Sequence, residues 1–183
     1  MIIFKGGTVF PVSSEPFIGD IAVEGGKIVS LGTELSADGA TIRDMRGRYI
    51  LPGLVDAHSH LGLEESGTRE SDHNDKYDPI TPQMRGIDSI NPQDIGFREA
   101  LSFGITTSVV GPGSINLIGG TFAAIKNAGN TVEEMLIDPC IAMKMALGEN
   151  PKFRYTEIGR TPKSRMGSAA LIRETFSRAR QYG

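Results

Sequence analysis

The alternation of apolar and polar positions divides the chain near residue 50. Up to that point it consists of short β-like runs broken by turn residues. In "DIAVEGGKIVSLG", Asp20 to Gly32, two alternating runs flank Gly25-Gly26, which predicts a hairpin with a two-residue turn. "TVFPV" and "TIRDM" predict further strands. Residues 1–50 are therefore expected to form a small β unit.

Beyond Pro52-Gly53 the pattern predicts alternating strands and helices over residues 51–183. "LVDAHSH" is a strand, followed by a long polar stretch from Gly62 to Ser89. Asn91-Pro92 predicts a helix N-cap with proline at the first helical position, and Gly104 closes that helix. "ITTSVVG" is a second strand with "GPGSINLIGG" as its loop. "TFAAIK" fits either an excursion strand or a short helix. Thr131 with Glu134 forms a capping box. "CIAMKMAL" is a third strand, and "GENPKFRYTEIGRTPKSRMG" its loop. A last helix, Ser168 to Tyr182, places Ile172, Phe176 and Ala179 on one face. Three strand–loop–helix passages predict a parallel α/β architecture.

Composition narrows the function classes. The 183 residues are 39% hydrophobic and 22% charged, an ordinary globular balance. A net charge of −3 offers no electrostatic basis for binding nucleic acid or an anionic membrane. No apolar run approaches a membrane span, and "MIIFKGG" reaches glycine too early for a signal-peptide core. The single Cys140 excludes an internal disulfide and suits a reducing cytoplasm.

The chemistry centres on "LPGLVDAHSHLG", residues 51–62. Side chains alternate across a strand, so Asp56, His58 and His60 share one face. Two imidazoles roughly 6–7 Å apart along the strand can converge on one divalent ion. The alternatives for a bare H-x-H are two surface histidines on an edge strand or satisfied core histidines. In "CIAMKMALGEN", alternation sets Lys144 with Cys140, Ala142 and Ala146. The bulky Ile141, Met143, Met145 and Leu147 take the other face, expected to lie under helices. Lys144 then points inward, where an ammonium is costly unless paired and its pKa should fall. It reads first as salt-bridged to an interior carboxylate. His73 sits in the charge-dense "EESGTRESDHNDKYD", which reads first as a solvated loop and alternatively as a substrate lid.

"GGTVFPV", "IAVEGGKIVSLG" and "YILPGLVDAHSHLG" resemble the amidohydrolase superfamily, metal-dependent hydrolases with a (β/α)8 barrel beside a small β-sandwich. "GITTSVVGPGS" and "MALGENPK" look most like its imidazolonepropionase-related branch. The resemblance implies a sandwich portion over residues 1–50 and the first three βα units of a TIM barrel over residues 51–183. It implies His58 and His60 as metal ligands, with Asp56 holding an imidazole. Glu149 is implied as a further ligand from the end of the third strand, or else it orders the "GENP" turn. Lys144 is a candidate for the carbamate that bridges two metals in many members, although that lysine normally lies on the fourth strand. The implied cofactor is one or two divalent ions, zinc first, with iron or manganese next. The implied reaction is hydrolysis of a C–N bond in a small cyclic or linear amide by a metal-activated water. The catalytic base of the family is expected beyond residue 183, in a C-terminal portion of the same polypeptide or in another chain. A cytoplasmic homo-oligomer is expected. The alternative is a non-catalytic scaffold that keeps the fold.

Overall fold

The computed structural model describes residues 1–67 and 71–182. The chain divides into two units, Met1–Gly53 and Leu54–Gly183. The architecture is mixed α/β.

In the first unit, β1 (Ile2–Val9) lies between β2 (Phe17–Glu24) and β4 (Thr41–Asp44). β3 (Lys27–Gly32) forms one edge of this sheet, and β5 (Tyr49–Ile50) also pairs with β1. Gly25 and Gly26 join β2 to β3 with φ of 57° and 74°. Both central residues thus occupy the left-handed region that a tight hairpin requires. "TVFPV" does not form a strand as a whole, because β1 begins at Ile2 and ends at Val9. Gly6 and Gly7 lie within β1, where the pairing with β2 shifts register between Phe4 and Gly7. The buried Asp20 carboxylate holds this shift by accepting the Gly6 and Leu35 N–H groups at 2.8 and 2.9 Å.

In the second unit, β6 (Leu54–Ser59), β7 (Ile105–Val110), β8 (Ile118–Lys126) and β9 (Leu136–Met145) form one sheet in that order. β6 and β7 are parallel, joined through a long loop and helix α1 (Ile95–Ser102). "TFAAIK" resolves as part of β8, antiparallel to both β7 and β9. This corrects the expectation of three successive parallel passages, since a reversed strand separates the second from the third. Pro139 is accommodated because β9 is an edge strand. "GENPKFRYTEIGRTPKSRMG" is not simply a loop: α3 (Glu149–Glu157) forms within it. The short α2 (Val132–Met135) carries the expected cap, with Glu134 N–H donating to Thr131 Oγ1 at 3.3 Å.

The core gathers Leu63, Ile90, Phe97, Val110, Ala123, Ile125 and Met135. It therefore lies where the loop after β6, α1 and α2 meet the apolar positions of β7 and β8. Each of the larger side chains, Ala123 excepted, stabilises the fold by about 1.5–3 kcal/mol once buried. The cap of α1 is Asp94 rather than Asn91, which instead accepts from Gln93 N–H in a preceding turn. The last helix, α4 (Arg165–Tyr182), buries only Ser168, and Phe176 from its expected apolar face is 51% exposed. Ile141, Met143, Met145 and Leu147 are likewise exposed rather than covered by helices. Among the described residues no helix is long and apolar enough to cross a membrane.

Candidate metal centre

His58 lies within β6, and His60 follows its last residue, Ser59. Their ring centroids are 5.6 Å apart with planes crossed at 82°. His60 Nδ1 is 2.8 Å from the Gly111 carbonyl oxygen at the end of β7. A carbonyl can only accept, so Nδ1 carries the proton and Nε2 keeps its lone pair. Gly111 is itself close-packed, because a Cβ there would overlap the Phe122 ring. The same Phe122 ring packs edge-on against His58, with centroids 5.3 Å apart.

Lys144 is 8% exposed, and its Nζ lies 3.2 Å from His58 Nε2 and 5.8 Å from the centre of the Phe122 ring. Its partner is thus an imidazole, which corrects the expected interior carboxylate. The register explains the path. Lys144 pairs with Gly120, and its Cγ would stand 3.3 Å from a Cβ on Gly119, so two glycines open the way for the long stem. Burial holds the Lys144 amine below the ordinary lysine range. Burial also pushes the His58 imidazole down, with the electrostatic influence of Lys144 and His60 adding to the fall and Asp56 opposing it. Asp56 does not hold a ring; its carboxylate accepts the backbone N–H of His58 at 3.2 Å, a local turn that competes with longer reach.

His73 joins the pair, against its reading as a solvated loop residue. Its ring stacks on His60 with centroids 4.9 Å apart and planes 25° from parallel. His73 Nδ1 is hydrogen-bonded to Ser71 Oγ and lies 3.8 Å from Glu64 Oε2. Burial pushes its pKa down, with Glu64 opposing and His60, Lys76 and Lys144 adding to the fall. His73 also lines a cavity of about 440 Å³ with Leu63, Asp72, Met84, Arg85 and Gly119. Another cavity, about 340 Å³, reaches His60 through Asp56, Ser59, Glu64 and Ser108.

The expectation that Glu149 joins the histidines is corrected. Glu149 is the first residue of α3, its side chain is 83% exposed, and it pairs with Lys152 one turn along at 2.8 Å. Among the described residues no three His, Cys, Asp or Glu side chains converge to hold an ion. What the chain supplies is two adjacent imidazoles, one with its tautomer set by a carbonyl, and a buried amine. That donor set suits a divalent ion as part of a ligand shell. Sequence reasoning missed Gly111, Phe122 and the stacking of His73; only the glycine-rich stretch after β7 hinted at close backbone approach.

No protein-family model matches the chain. It is 36% identical over 182 residues to amidohydrolase tasK of Hapsidospora irregularis, covering 90% of this chain and 19% of that protein. A 60-residue stretch is 43% identical to allantoinase of Escherichia coli (strain K12 / DH10B), covering 33% of this chain and 13% of that one. A solved amidohydrolase from Thermotoga maritima MSB8 matches with a TM-score of 0.94 and 43% identity, over 100% of this chain and 48% of that one. The chain thus spans about a fifth of tasK and about half of the solved structure. With the H-x-H strand, these likenesses establish that the chain belongs to the amidohydrolase superfamily.

Proposed function

We propose that this chain carries the first-strand ligands of a metal-dependent hydrolase acting on a C–N bond of a cyclic or linear amide. The observation that carries this reading is the His58–His60 pair at the C-terminal end of β6, with His60 Nδ1–H held by Gly111. The chemistry a divalent ion supplies when bound is activation of water and polarisation of the amide carbonyl. Zinc is the first choice, with iron and manganese sharing its preference for imidazole. His60 presents Nε2 in a fixed orientation. His58 presents Nε2 only when Lys144 does not donate to it; a neutral amine keeps N–H groups but can turn away from Nε2 without leaving a buried charge unpaired. The lowered pKa of Lys144 favours that neutral form. A neutral Lys144 amine can also attack carbon dioxide, forming an N–C bond and releasing a proton, to become a carbamate oxygen donor.

The names of the relatives support C–N hydrolysis, and the motif resemblance favours an imidazolonepropionase-like substrate. We place the catalytic base outside these residues. We infer that residues 51–183 form part of a (β/α)8 barrel and that residues 1–50 form part of a small β-sandwich. The parallel β6–β7 pair joined through α1 supports this, as does chemistry at the C-terminal end of a strand. A cytoplasmic, oligomeric enzyme completes the proposal. The test is metal analysis and amide hydrolysis by the intact natural polypeptide, with hydantoin, allantoin and imidazolone compounds as probes. His60→Ala should lose most bound metal and at least about a hundredfold in turnover, since a metal-acidified water is the nucleophile. Full retention of metal and activity would sink the reading.

A further inference from the structure

Three contacts restrain the His60 ring. Its Nδ1–H donates to Gly111 O, the His58 ring meets it edge-on, and the His73 ring covers one face. A hydrogen bond at one ring atom leaves the second side-chain torsion soft, because that torsion lies in a broad well. A parallel ring on the face removes the remaining tilt.

We propose that His73 is a positioning residue for His60, and that Gly113 is the seat that keeps it there; this rests on the metal-centre reading above. The segment Gly111–Asn116 carries both halves of the arrangement. Its first carbonyl orients His60. Further along, Gly113 N–H donates to His73 O at 2.6 Å, and Ile115 N–H donates to Asn74 Oδ1 at 3.2 Å. Asn116 Nδ2 donates to Asp75 O at 2.7 Å. Residues 73–75 are therefore laced along the same backbone that fixes the ligand's tautomer. The lacing requires glycine at position 113, since a Cβ there would overlap His73 Cδ2 and the Asn74 amide. Asn116 is in turn held from the other side by the Tyr155 hydroxyl at 2.6 Å and by Thr81 Oγ1 at 3.0 Å. His73 acts through its ring face, and its Nδ1 is engaged by Ser71.

The test measures zinc affinity of the intact polypeptide by competition with a chromophoric chelator, for wild type, His73→Ala, His73→Phe, Gly113→Ala and His60→Ala. His73→Ala and Gly113→Ala should each weaken zinc binding about tenfold or more, the scale of partners that orient metal ligands. His73→Phe keeps an aromatic face without nitrogen and should bind zinc as wild type does. That rescue separates positioning from ligation and from general loss of structure, because Phe removes the imidazole nitrogens and the Ser71 bond together. Wild-type affinity in His73→Ala would overturn the proposal while leaving the metal centre standing. So would a His73→Phe protein as weak as His73→Ala, since the nitrogens would then be what matters. Wild-type protein without zinc affinity, or His60→Ala with undiminished affinity, would remove the metal-centre reading and this inference with it.

Discussion

The Asp94 carboxylate accepts three backbone N–H groups: Gly62 at 3.2 Å, Ser66 at 3.3 Å and Gly96 at 2.9 Å. It thereby caps α1 and pins the chain immediately beyond His60. Asp94→Ala removes the cap and strands buried donors, and should lower unfolding free energy by about 2–4 kcal/mol. Asp94→Asn keeps one acceptor oxygen and should cost less; urea unfolding followed by circular dichroism measures both. Equal, small losses would show that water replaces the carboxylate. The pattern Asn91-Pro92 pointed to the wrong cap because the choice is made by the loop at residues 62–66, which sequence spacing does not bring near. His58 and His60 were legible for the opposite reason: both lie on a single short segment whose alternation sets their face. His73 was not, because its position depends on hydrogen bonds to residues 113–116, whose approach leaves no periodic trace.

At the level of elements, the hairpin at Gly25-Gly26 and the Thr131 cap were readable because each is local chemistry. β8 was ambiguous, since "TFAAIK" lacks a clean period and its pairing with two antiparallel neighbours decides the matter. α3 was hidden in a charged stretch with little apolar periodicity, and its buried contacts come from Pro151 and Tyr155. Tyr155 is fully buried, and its hydroxyl donates to Asn116. Burial, with Asp78 adding, pushes its pKa up from 10.0 to about 12. A raised folded-state value means the contribution is intact below the unfolded pKa near 10 and is lost as pH rises through about 12. Stability should therefore fall across that alkaline window. Tyr155→Phe should give up the Asn116 bond at neutral pH but show a shallower alkaline decline. Tyrosinate absorbance provides a direct check, because one of the four tyrosines should titrate late and vanish in Tyr155→Phe. No late-titrating group in the wild type would contradict this placement of α3.

At the scale of the molecule, the Leu54–Gly183 unit leaves apolar surface on both edge strands of its sheet. Leu54 and Val55 on β6 are exposed, as are Ile137, Ile141, Met143 and Met145 on β9. The four β9 side chains are alternate or near-alternate positions, so most share a face opposite to Lys144. Met166 and Phe176 on α4 are exposed as well. The alternation of β9 was legible in the sequence, and the error lay in assuming that helices within these residues cover the apolar face. Open strand edges with contiguous apolar side chains favour pairing with another surface. Residues 1–183 purified by themselves should therefore bind a hydrophobic dye and sediment with an apparent mass that rises with concentration. Lysine at both Ile141 and Met143 should shift the distribution toward monomer, because like charges on adjacent copies of that face repel. Both positions lie on the face of β9 opposite Lys144, so zinc binding that survives the double substitution would separate association from the metal centre. A monodisperse wild-type monomer without dye binding would mean that this face is stable in water as it stands.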